Sequence, residues 1–330
     1  MCPYGGATPG ITPGTTPGIA LSVVICAYTM DRWDDLLAAI ESVQTQREPV
    51  DELLLVVDHC PELAARARVE TCGVRIVANR ERRGLAGARN SGVAAARGDV
   101  VAFLDDDAAA APDWSRRLVS NYRNPHVVGV GGLVRPWWET GRPGWFPPEF
   151  DWVVGCSYRG LPQQRSAVRN FIGANMSFRR SELLAVGGFR TDLGRVGSRP
   201  LGCEETELCL RISAHDPEAV LLYEPAAAVR HHVPPARASW AYFRSRCFAE
   251  GLSKAAVARH AGAGPALSSE RSYLRSTIPL ALVRGLRPRA GTRRSTVVAL
   301  AAGVGTTLLG YGTGRLRGFA RAGPTGRAAP

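Results

Sequence analysis

The feature that most constrains the fold of this chain is a series of short apolar runs separated by helical patterns. The run LSVVICAY (residues 21–28) has the length and continuous hydrophobicity of a strand buried on both faces, and ELLLVVD (52–58) and VRIVAN (74–79) repeat it. Between the first two runs, apolar residues recur at helical spacing in DRWDDLLAAIESVQTQ, where Asp31 is placed as the N-cap. This alternation predicts a parallel sheet with crossover helices, and such sheets bind ligands beyond the carboxyl ends of their strands.

A further apolar run, VVAFL (residues 100–104), ends in three consecutive acids, Asp105, Asp106 and Asp107. Adjacent carboxylates repel one another unless a cation shares the site, and their oxygens suit Mg²⁺ or Mn²⁺. Because alternate residues of a strand share a face, Asp105 and Asp107 should point one way and Asp106 the other. Taken alone, such a triplet is more often a group of solvated loop acids that cap the next helix.

Composition and charge divide the chain unevenly. With 330 residues, 45% hydrophobic and 21% charged, it has the composition of a folded protein with a sizeable core. The net charge of +12 is concentrated in residues 236–330, which carry sixteen Lys or Arg and two acids, while residues 1–235 sum to −2. The eight cysteines are scattered without a C-x-x-C pair, so reduced thiols in a cytosol are expected.

Three segments with unusual composition are expected to differ from the regular strands and helices of the central domain. Residues 1–20 repeat T-P-G and lack the basic and apolar regions of a secretory signal, so we expect a flexible tail on a cytoplasmic protein. Residues 127–170, rich in Gly, Pro and Trp, are expected to be irregular and to cover or shape a site. Residues 236–330 are expected to form a basic helical extension that contacts a membrane. Its uncharged stretch 295–314 is long enough to span a bilayer, but Gly and Thr make it only mildly apolar, so a buried or surface-lying helix is the alternative.

Five segments, in order and at the right spacing between residues 21 and 251, resemble the family 2 glycosyltransferases, which have the GT-A fold. They are SVVICAY, LLVVDHC, RGLAGARNSGVAAARGDVVAFLDDD, GANMSFRRSELLAVGGF and CEETELCLR. The sequence departs from the family at Cys26 and Thr29, where proline and asparagine are usual, and at Glu204-Glu205, where the usual pair is Glu-Asp. The resemblance implies an α/β fold with a mostly parallel, Rossmann-like mixed sheet, and residues 21–235 as the catalytic domain.

The resemblance also implies roles for individual residues. The implied nucleotide-binding residues are Ala27, Tyr28, Asp58, Gly84, Arg89, Asp105 and Asp106, with Asp106 at the ribose. The implied ligands of Mn²⁺ or Mg²⁺ are Asp107 and His231, with His232 as the substitute for His231, and the implied acceptor-side residues are Asn175 and Arg246. Glu205 matches the catalytic base, with Glu204 beside it toward the acceptor.

The implied reaction is an inverting, metal-dependent transfer of a sugar from a nucleoside diphosphate, expected to be UDP, to a hydroxyl group. It requires a general base for the acceptor and a cation for the leaving diphosphate, and no covalent enzyme nucleophile. A lipid-linked or cell-envelope glycan precursor is the acceptor we expect, because the basic extension suits an anionic membrane at the cytoplasmic face.

Three other interpretations compete with this reaction. Glu204, Glu205 and Glu207 could be only the acidic first turn of a helix, favoured by its dipole, in a degenerate GT-A binding domain. A nucleotide-dependent oxidoreductase would share the βαβ opening, but CAYTMDR follows the first strand where G-x-G-x-x-G would be needed. A module that only binds nucleic acid or a lipid surface would use the basic extension but leave both acidic clusters without a purpose, and no nucleic acid is expected as a partner.

Overall fold

The computed structural model describes residues 18–194, 202–262, 264, 267–286 and 294–321. The predicted tail at residues 1–20 therefore falls, but for its last three residues, outside the described part. The strands are β1 (Leu21–Ala27), β2 (Glu52–Val57), β3 (Arg75–Ala78), β4 (Val100–Asp105), β5 (Ala108–Ala110), β6 (Val127–Trp138), β7 (Ser166–Ala167), β8 (Asn175–Arg179) and β9 (Val220–Val233).

The helices lie between and after these strands. They are α1 (Trp33–Gln44), α2 (Pro61–Glu70), α3 (Leu85–Ala95), α4 (Trp114–Val119), α5 (Arg180–Ala185), α6 (Glu204–His215), α7 (Trp240–Ala261), α8 (Ser268–Ser272), α9 (Ile278–Leu286) and α10 (Arg294–Arg321). Short 3₁₀ turns occur at Met30–Arg32, Ser120–Arg123, Pro148–Val154 and Pro235–Ala238, and a π-helical segment at Tyr273–Thr277 joins α8 to α9.

The strands of the described residues form one mixed, nine-stranded sheet in the order β3-β2-β1-β4-β8-β6-β9-β5, with β7 paired to β9. β3, β2, β1 and β4 are parallel, as the sequence predicts, whereas β8 is antiparallel to both β4 and β6. In β1, Val23 and Ile25 pack into the core on one face and Val24 into the core on the other. Helices cover both faces, and this explains why the strand is a continuous apolar run rather than an alternating one.

Three sequence predictions are wrong in this part of the molecule. Thr29, not Asp31, caps the turn before α1, because its hydroxyl accepts a hydrogen bond from the Asp31 backbone N–H. Residues 127–138 are not irregular but form β6, and the prediction of an irregular segment holds only for the chain that follows. Cys72 is disulfide-bonded rather than reduced, while the other described cysteines are free.

Glycine explains why β6 was hidden in the sequence. A side chain at Gly131 would collide with Phe171, and one at Gly132 would collide with the Ala227 carbonyl. The glycines therefore let the large side chain of Phe171 and the neighbouring backbone approach the strand closely. They weaken the strand signal in the sequence while serving the packing of the sheet.

The two long helices of the basic extension, α7 and α10, pack against each other. A Cβ at Gly310 would collide with the Phe248 carbonyl, and one at Gly251 would collide with the backbone of Thr307. Glycines of both helices thus serve close helix packing. Arg294–Leu316 is the one segment of the described residues long and apolar enough to cross a membrane, and 28% of its most apolar window is buried.

Candidate active site

A cavity of about 600 Å³ opens beyond the carboxyl ends of β1 and β4. Its walls come from these strand ends, the start of α6, the 3₁₀ turn Pro148–Val154, and the helices α7 and α10. All the site residues predicted from the sequence line it except Asn175: Ala27, Tyr28, Asp58, Gly84, Arg89, Asp105, Asp106, Asp107, Glu204, Glu205, His231 and Arg246. The fold therefore gathers segments from the whole length of the catalytic domain around one space.

All three aspartates line the cavity, and Asp106 does not point away from Asp107 as strand alternation predicts, because β4 ends at Asp105 and the next two carboxylates share Arg32 Nη1. Asp105 ends β4, and one ligand atom each from Asp105, Asp107 and His231 lie within 4.8 Å of one another. The antiparallel pairing of β5 with β9 sets Ala108 opposite His231, which brings the imidazole Nε2 to 3.0 Å from Asp107 Oδ1. Two carboxylates and an imidazole form a donor set that fits Mn²⁺ or Mg²⁺.

Two arginines that sequence reasoning missed also contact this cluster. Arg32 Nη1 lies 2.6 Å from Asp106 Oδ1 and 3.1 Å from Asp107 Oδ2, and Arg237 Nη2 lies 3.1 Å from Asp107 Oδ2. Neither arginine stands in a recognisable motif, because only the sheet pairing and the turn after β9 bring them near the aspartates. Together with His231 they offset the repulsion among the buried carboxylates.

The pKa values of Asp106 and Asp107 are shifted in opposite directions. Burial, followed by the charge of Asp107, raises the pKa of Asp106 to about 7. Burial would also raise the pKa of Asp107, but the neighbouring His231, Arg237 and Arg32 hold it well below its usual range. Conversely, burial opposes protonation of His231, yet the Asp107 carboxylate raises the pKa of that imidazole well above its ordinary value. Asp107 is therefore the member of the pair that stays charged.

A second group of polar residues lies at the ends of β1 and β2. Asp58 accepts hydrogen bonds from Asn79 Nδ2 at 2.7 Å and from the Gly84 backbone N–H at 2.9 Å, which fixes both of its oxygens. Gly84 has φ +134°, a conformation that L side chains rarely adopt. The Tyr28 hydroxyl accepts from Arg32 Nη2 at 3.0 Å, so Arg32 joins this group to the aspartates.

The opposite side of the cavity carries the first two residues of α6. Glu204 Oε1 forms a buried ion pair with Arg89 Nη1 at 2.9 Å, whereas Glu205 is half-buried and makes no ion pair among the described residues. Burial, followed by the charge of Glu204, raises the pKa of Glu205 to about 7. The two acids therefore differ in kind: one is held by an arginine, and the other faces the cavity with a carboxyl group that titrates near neutrality.

Arg89 connects the two clusters through one guanidinium group. Its Nη2 lies 3.4 Å from Asp105 Oδ1 and 3.1 Å from the Gly173 carbonyl, in addition to the Nη1 contact with Glu204. The side chain is 2% exposed. It lines the cavity near the predicted nucleotide site, but its hydrogen bonds go to the protein.

Two predictions about the site are corrected by the structure. Asn175 is fully buried away from the cavity, where its Oδ1 accepts from Trp114 Nε1 at 2.8 Å and its Nδ2 donates to the Ala227 carbonyl at 2.8 Å. It holds β8 to its neighbours rather than contacting an acceptor. His232 does not substitute for His231. Its ring nitrogens lie 2.9 Å from Asp35 and 3.2 Å from Glu139, away from the cluster of Asp105, Asp107 and His231.

The amino-acid sequence matches a family model and several known proteins. The sequence model described as Glycosyl transferase family 2 matches residues 22–185. Over 238 residues the chain is 39% identical to the glucosyl-dolichyl phosphate glucuronosyltransferase of Haloferax volcanii, covering 71% of this chain and 76% of that one. It is 27% identical over 242 residues to the succinoglycan biosynthesis protein ExoM of Rhizobium meliloti, covering 70% and 72%.

Solved structures resemble the fold at lower sequence identity. The mannosyltransferase PcManGT of Pyrobaculum calidifontis, in complex with GDP-Man and Mn²⁺, has a TM-score of 0.56 and 19% identity, covering 90% of this chain and 89% of that one. GalNAc-T7 with UDP, GalNAc and Mn²⁺ has a TM-score of 0.51 and 18% identity. That match covers 78% of this chain but about half, 54%, of the other.

Proposed function

Because the chain belongs to glycosyl transferase family 2, we propose that it moves a sugar from UDP to a hydroxyl group of a lipid-linked acceptor, with inversion at the anomeric carbon. One observation carries this proposal. One cavity contains both groups that such a reaction needs. Asp105, Asp107 and His231 lie at its strand ends, and Glu205, a half-buried carboxyl group whose pKa is raised to about 7, lies on the other side of Arg89. An inverting transferase needs both a charged donor site and a general base.

The fold and the enzyme class predicted from the sequence are confirmed. The structure has the GT-A fold, a curled mixed sheet flanked by helices, and the chain is a glycosyltransferase that uses a nucleotide sugar. The alternatives of an oxidoreductase and of a degenerate binding domain find no support among the relatives.

The donor is proposed to bind at the strand ends. Tyr28 and Asp58, with the backbone at Ala27 and Gly84, would hold the nucleobase, and Asp106 would meet the ribose. This assignment is supported by the fixed orientation of the Asp58 carboxylate, which Asn79 and Gly84 hold toward the cavity wall.

The cation is proposed to bind Asp107, His231 and Asp105. These residues fit Mn²⁺ or Mg²⁺ by donor type, and both structural neighbours were solved with Mn²⁺. When bound, the cation supplies a positive charge that offsets the charge developing on the leaving diphosphate. Arg32 and Arg237, which now contact Asp106 and Asp107, lie where they could also face the phosphates.

Glu205 is proposed as the base that removes the acceptor proton. Glu204 is committed to Arg89, while Glu205 lines the cavity without an ion pair among the described residues. A carboxyl pKa near 7 lets the group accept a proton readily at neutral pH, because base strength and the fraction ionised are then balanced.

The protein is proposed to work at the cytoplasmic face of an anionic membrane. The concentration of positive charge in residues 236–330 and the exposed apolar part of α10 support attachment, since each Lys or Arg near such a surface contributes about 1 kcal/mol. Co-sedimentation with anionic vesicles at low salt, diminishing as salt rises, is expected. A protein that stays in the supernatant with anionic and neutral vesicles alike contradicts attachment.

A panel of nucleotide sugars tests the donor assignment. Thermal unfolding is recorded for each nucleotide sugar with Mn²⁺ and again with chelator, since a bound ligand stabilises the native state by mass action. We expect the largest rise in Tm for one UDP-sugar, and only with the metal. Equal stabilisation with chelator, or none by any nucleotide sugar, contradicts the proposed site.

A further inference from the structure

The imidazole ring of His231 has two nitrogen atoms, and they face different groups. Nε2 lies 3.0 Å from Asp107 Oδ1, on the side where the cation is proposed to bind. Nδ1 faces the other way and lies 3.8 Å from the sulfur of Cys156. Within the described part of the chain, Cys156 is the one hydrogen-bond partner found for Nδ1. The side chain of Cys156 is therefore placed to control the nitrogen that points away from the acids.

The thiol of Cys156 is oriented by a hydrogen bond of its own. Its Sγ lies 3.6 Å from the Val154 carbonyl oxygen, which accepts the thiol proton. Because a thiol has one proton to donate, the sulfur lone pairs are left to accept a hydrogen bond from the Nδ1–H of His231. Cys156 is fully buried and is not part of a disulfide, so water does not compete for this contact.

The backbone on both sides of the thiol is held in place. The Cys156 backbone N–H donates to the Asp151 carbonyl at 3.0 Å. The next residue, Ser157, forms two hydrogen bonds of 2.9 Å with the backbone of Val134 in β6, one through its own N–H and one through its hydroxyl oxygen. Since β6 pairs with β9, the strand that carries His231, the sulfur and the imidazole are fixed to neighbouring strands of the sheet.

We propose that Cys156 is a positioning residue for the metal site, because it accepts the Nδ1–H of His231 and so keeps the Nε2 lone pair available to the cation. The inference rests on the proposed function, since it takes His231 to be a metal ligand. A metal-binding histidine usually donates its other ring N–H to an acceptor, and loss of that acceptor costs about 10–100-fold in metal affinity or activity. Without the sulfur, a buried Nδ1–H would have no acceptor, so the tautomer with a protonated Nε2, which cannot bind a cation, would gain population.

Binding of Mn²⁺ alone to the full chain, measured by calorimetry, tests the proposal. Cys156→Ala should weaken Mn²⁺ binding about tenfold, because alanine cannot accept the hydrogen bond. Cys156→Ser should bind Mn²⁺ more tightly than Cys156→Ala, because a hydroxyl oxygen can replace the sulfur as acceptor. Unchanged affinity in Cys156→Ala overturns the proposal.

Cys247→Ala is the matched control. Cys247 is a second buried, free cysteine of the same hydrophobic core, but it does not line the cavity. Its replacement removes the same sulfur atom from the interior and should leave the Mn²⁺ affinity unchanged. Equal weakening by Cys247→Ala and Cys156→Ala would show a general effect of core packing and would overturn the specific role of Cys156.

The protonation state of each ring nitrogen of His231 is a measurement that a purely structural role would not change. Long-range ¹H–¹⁵N NMR with Mg²⁺, which is diamagnetic, distinguishes a protonated ring nitrogen from an unprotonated one, and the signals of His231 are those missing from His231→Ala. The natural protein should show a protonated Nδ1 and an unprotonated Nε2, and Cys156→Ala should show a larger fraction with the proton on Nε2. A protonated Nε2 in the natural protein saturated with Mg²⁺ overturns the proposal without any substitution.

His231→Ala separates failure of this inference from failure of the proposed function. If His231→Ala loses Mn²⁺ affinity while Cys156→Ala keeps it, only the role of Cys156 is overturned. If His231→Ala binds Mn²⁺ as the natural protein does, or if the natural protein does not bind Mn²⁺, the proposed metal site itself is contradicted and the inference falls with it.

Discussion

The two walls of the cavity differ in charge. The strand wall, at the ends of β1, β4 and β9, is acidic through Asp105, Asp106 and Asp107, yet it is proposed to receive a nucleoside diphosphate, which is itself an anion. The helix wall of α7 and α10 has cations, Arg246 and Lys254, that are paired with the acids Glu250 and Glu270, and its mouth is apolar. The difference teaches that a divalent cation should be needed at the strand wall, because its acids would face an anionic ligand.

The largest expected effect comes from breaking the strand wall. Asp107→Ala removes the ligand that stays charged, so metal-dependent stabilisation by the UDP-sugar should be lost and transfer should become undetectable. The measurements are thermal unfolding with donor and Mn²⁺, and a transfer assay.

Adjacent histidines give the control for this prediction. His231→Ala should weaken Mn²⁺-dependent donor binding, whereas His232→Ala should not, since His232 pairs with Asp35 and Glu139 away from the cluster. Undiminished transfer by Asp107→Ala, or equal loss in both histidine variants, would show that the cluster does not hold the metal.

The next effect separates chemistry from binding. Glu205→Gln should still bind donor and metal but should lose about 10²–10⁴-fold in kcat, because the base is gone and the strand wall is intact. Glu204→Gln breaks the ion pair with Arg89, so it should lower stability as well as rate. If only Glu204→Gln abolished transfer, the roles of the two acids would be reversed.

The pH dependence of the natural enzyme also tests whether Glu205 is the general base. A base must be deprotonated, so kcat should rise with pH through an apparent pKa near 7, and this limb should be absent in Glu205→Gln. Since the folded-state pKa lies above that of the unfolded chain, ionising Glu205 lowers stability as pH rises. Glu205→Gln should therefore be more stable relative to the natural protein at about pH 8 than at about pH 5. A pH-independent kcat would contradict the assignment.

The smallest expected effect tests the packing of the helix wall. Gly310→Val introduces a side chain that collides with the Phe248 carbonyl, so α10 should separate from α7 and the free energy of unfolding should fall by about 1–3 kcal/mol. Gly312→Val is the control, because a Cβ at Gly312 meets nothing within 4 Å. Donor binding should be unchanged in both variants. Equal stability of the two would show that the glycine contact does not hold the helices together.

The strand wall was predictable from the sequence, whereas of the helix wall only Arg246 was. Parallel strands buried on both faces have a recognisable apolar run, and the residue after each run, such as Asp58 or Asp105, must lie at the site. By contrast, β6 and α10 are interrupted by glycines that serve close packing, and their contacts join residues far apart in the chain. Arg32 and Arg237 were missed because their contacts with the aspartates also join residues far apart in the chain. Asn175 was wrongly assigned to the acceptor side because sequence spacing does not reveal which way a β8 side chain points.

The stereochemistry of the product tests the central claim most directly. The two walls would place a base beside the acceptor and a cation beside the leaving diphosphate, which suits a single in-line displacement without a covalent enzyme nucleophile. Proton NMR of the first product formed, compared with the α-linked UDP-sugar supplied, reports the anomeric configuration before any equilibration. The account predicts a β-linked product. An α-linked product would show that configuration is retained and would contradict the role of Glu205 as the base in a direct displacement.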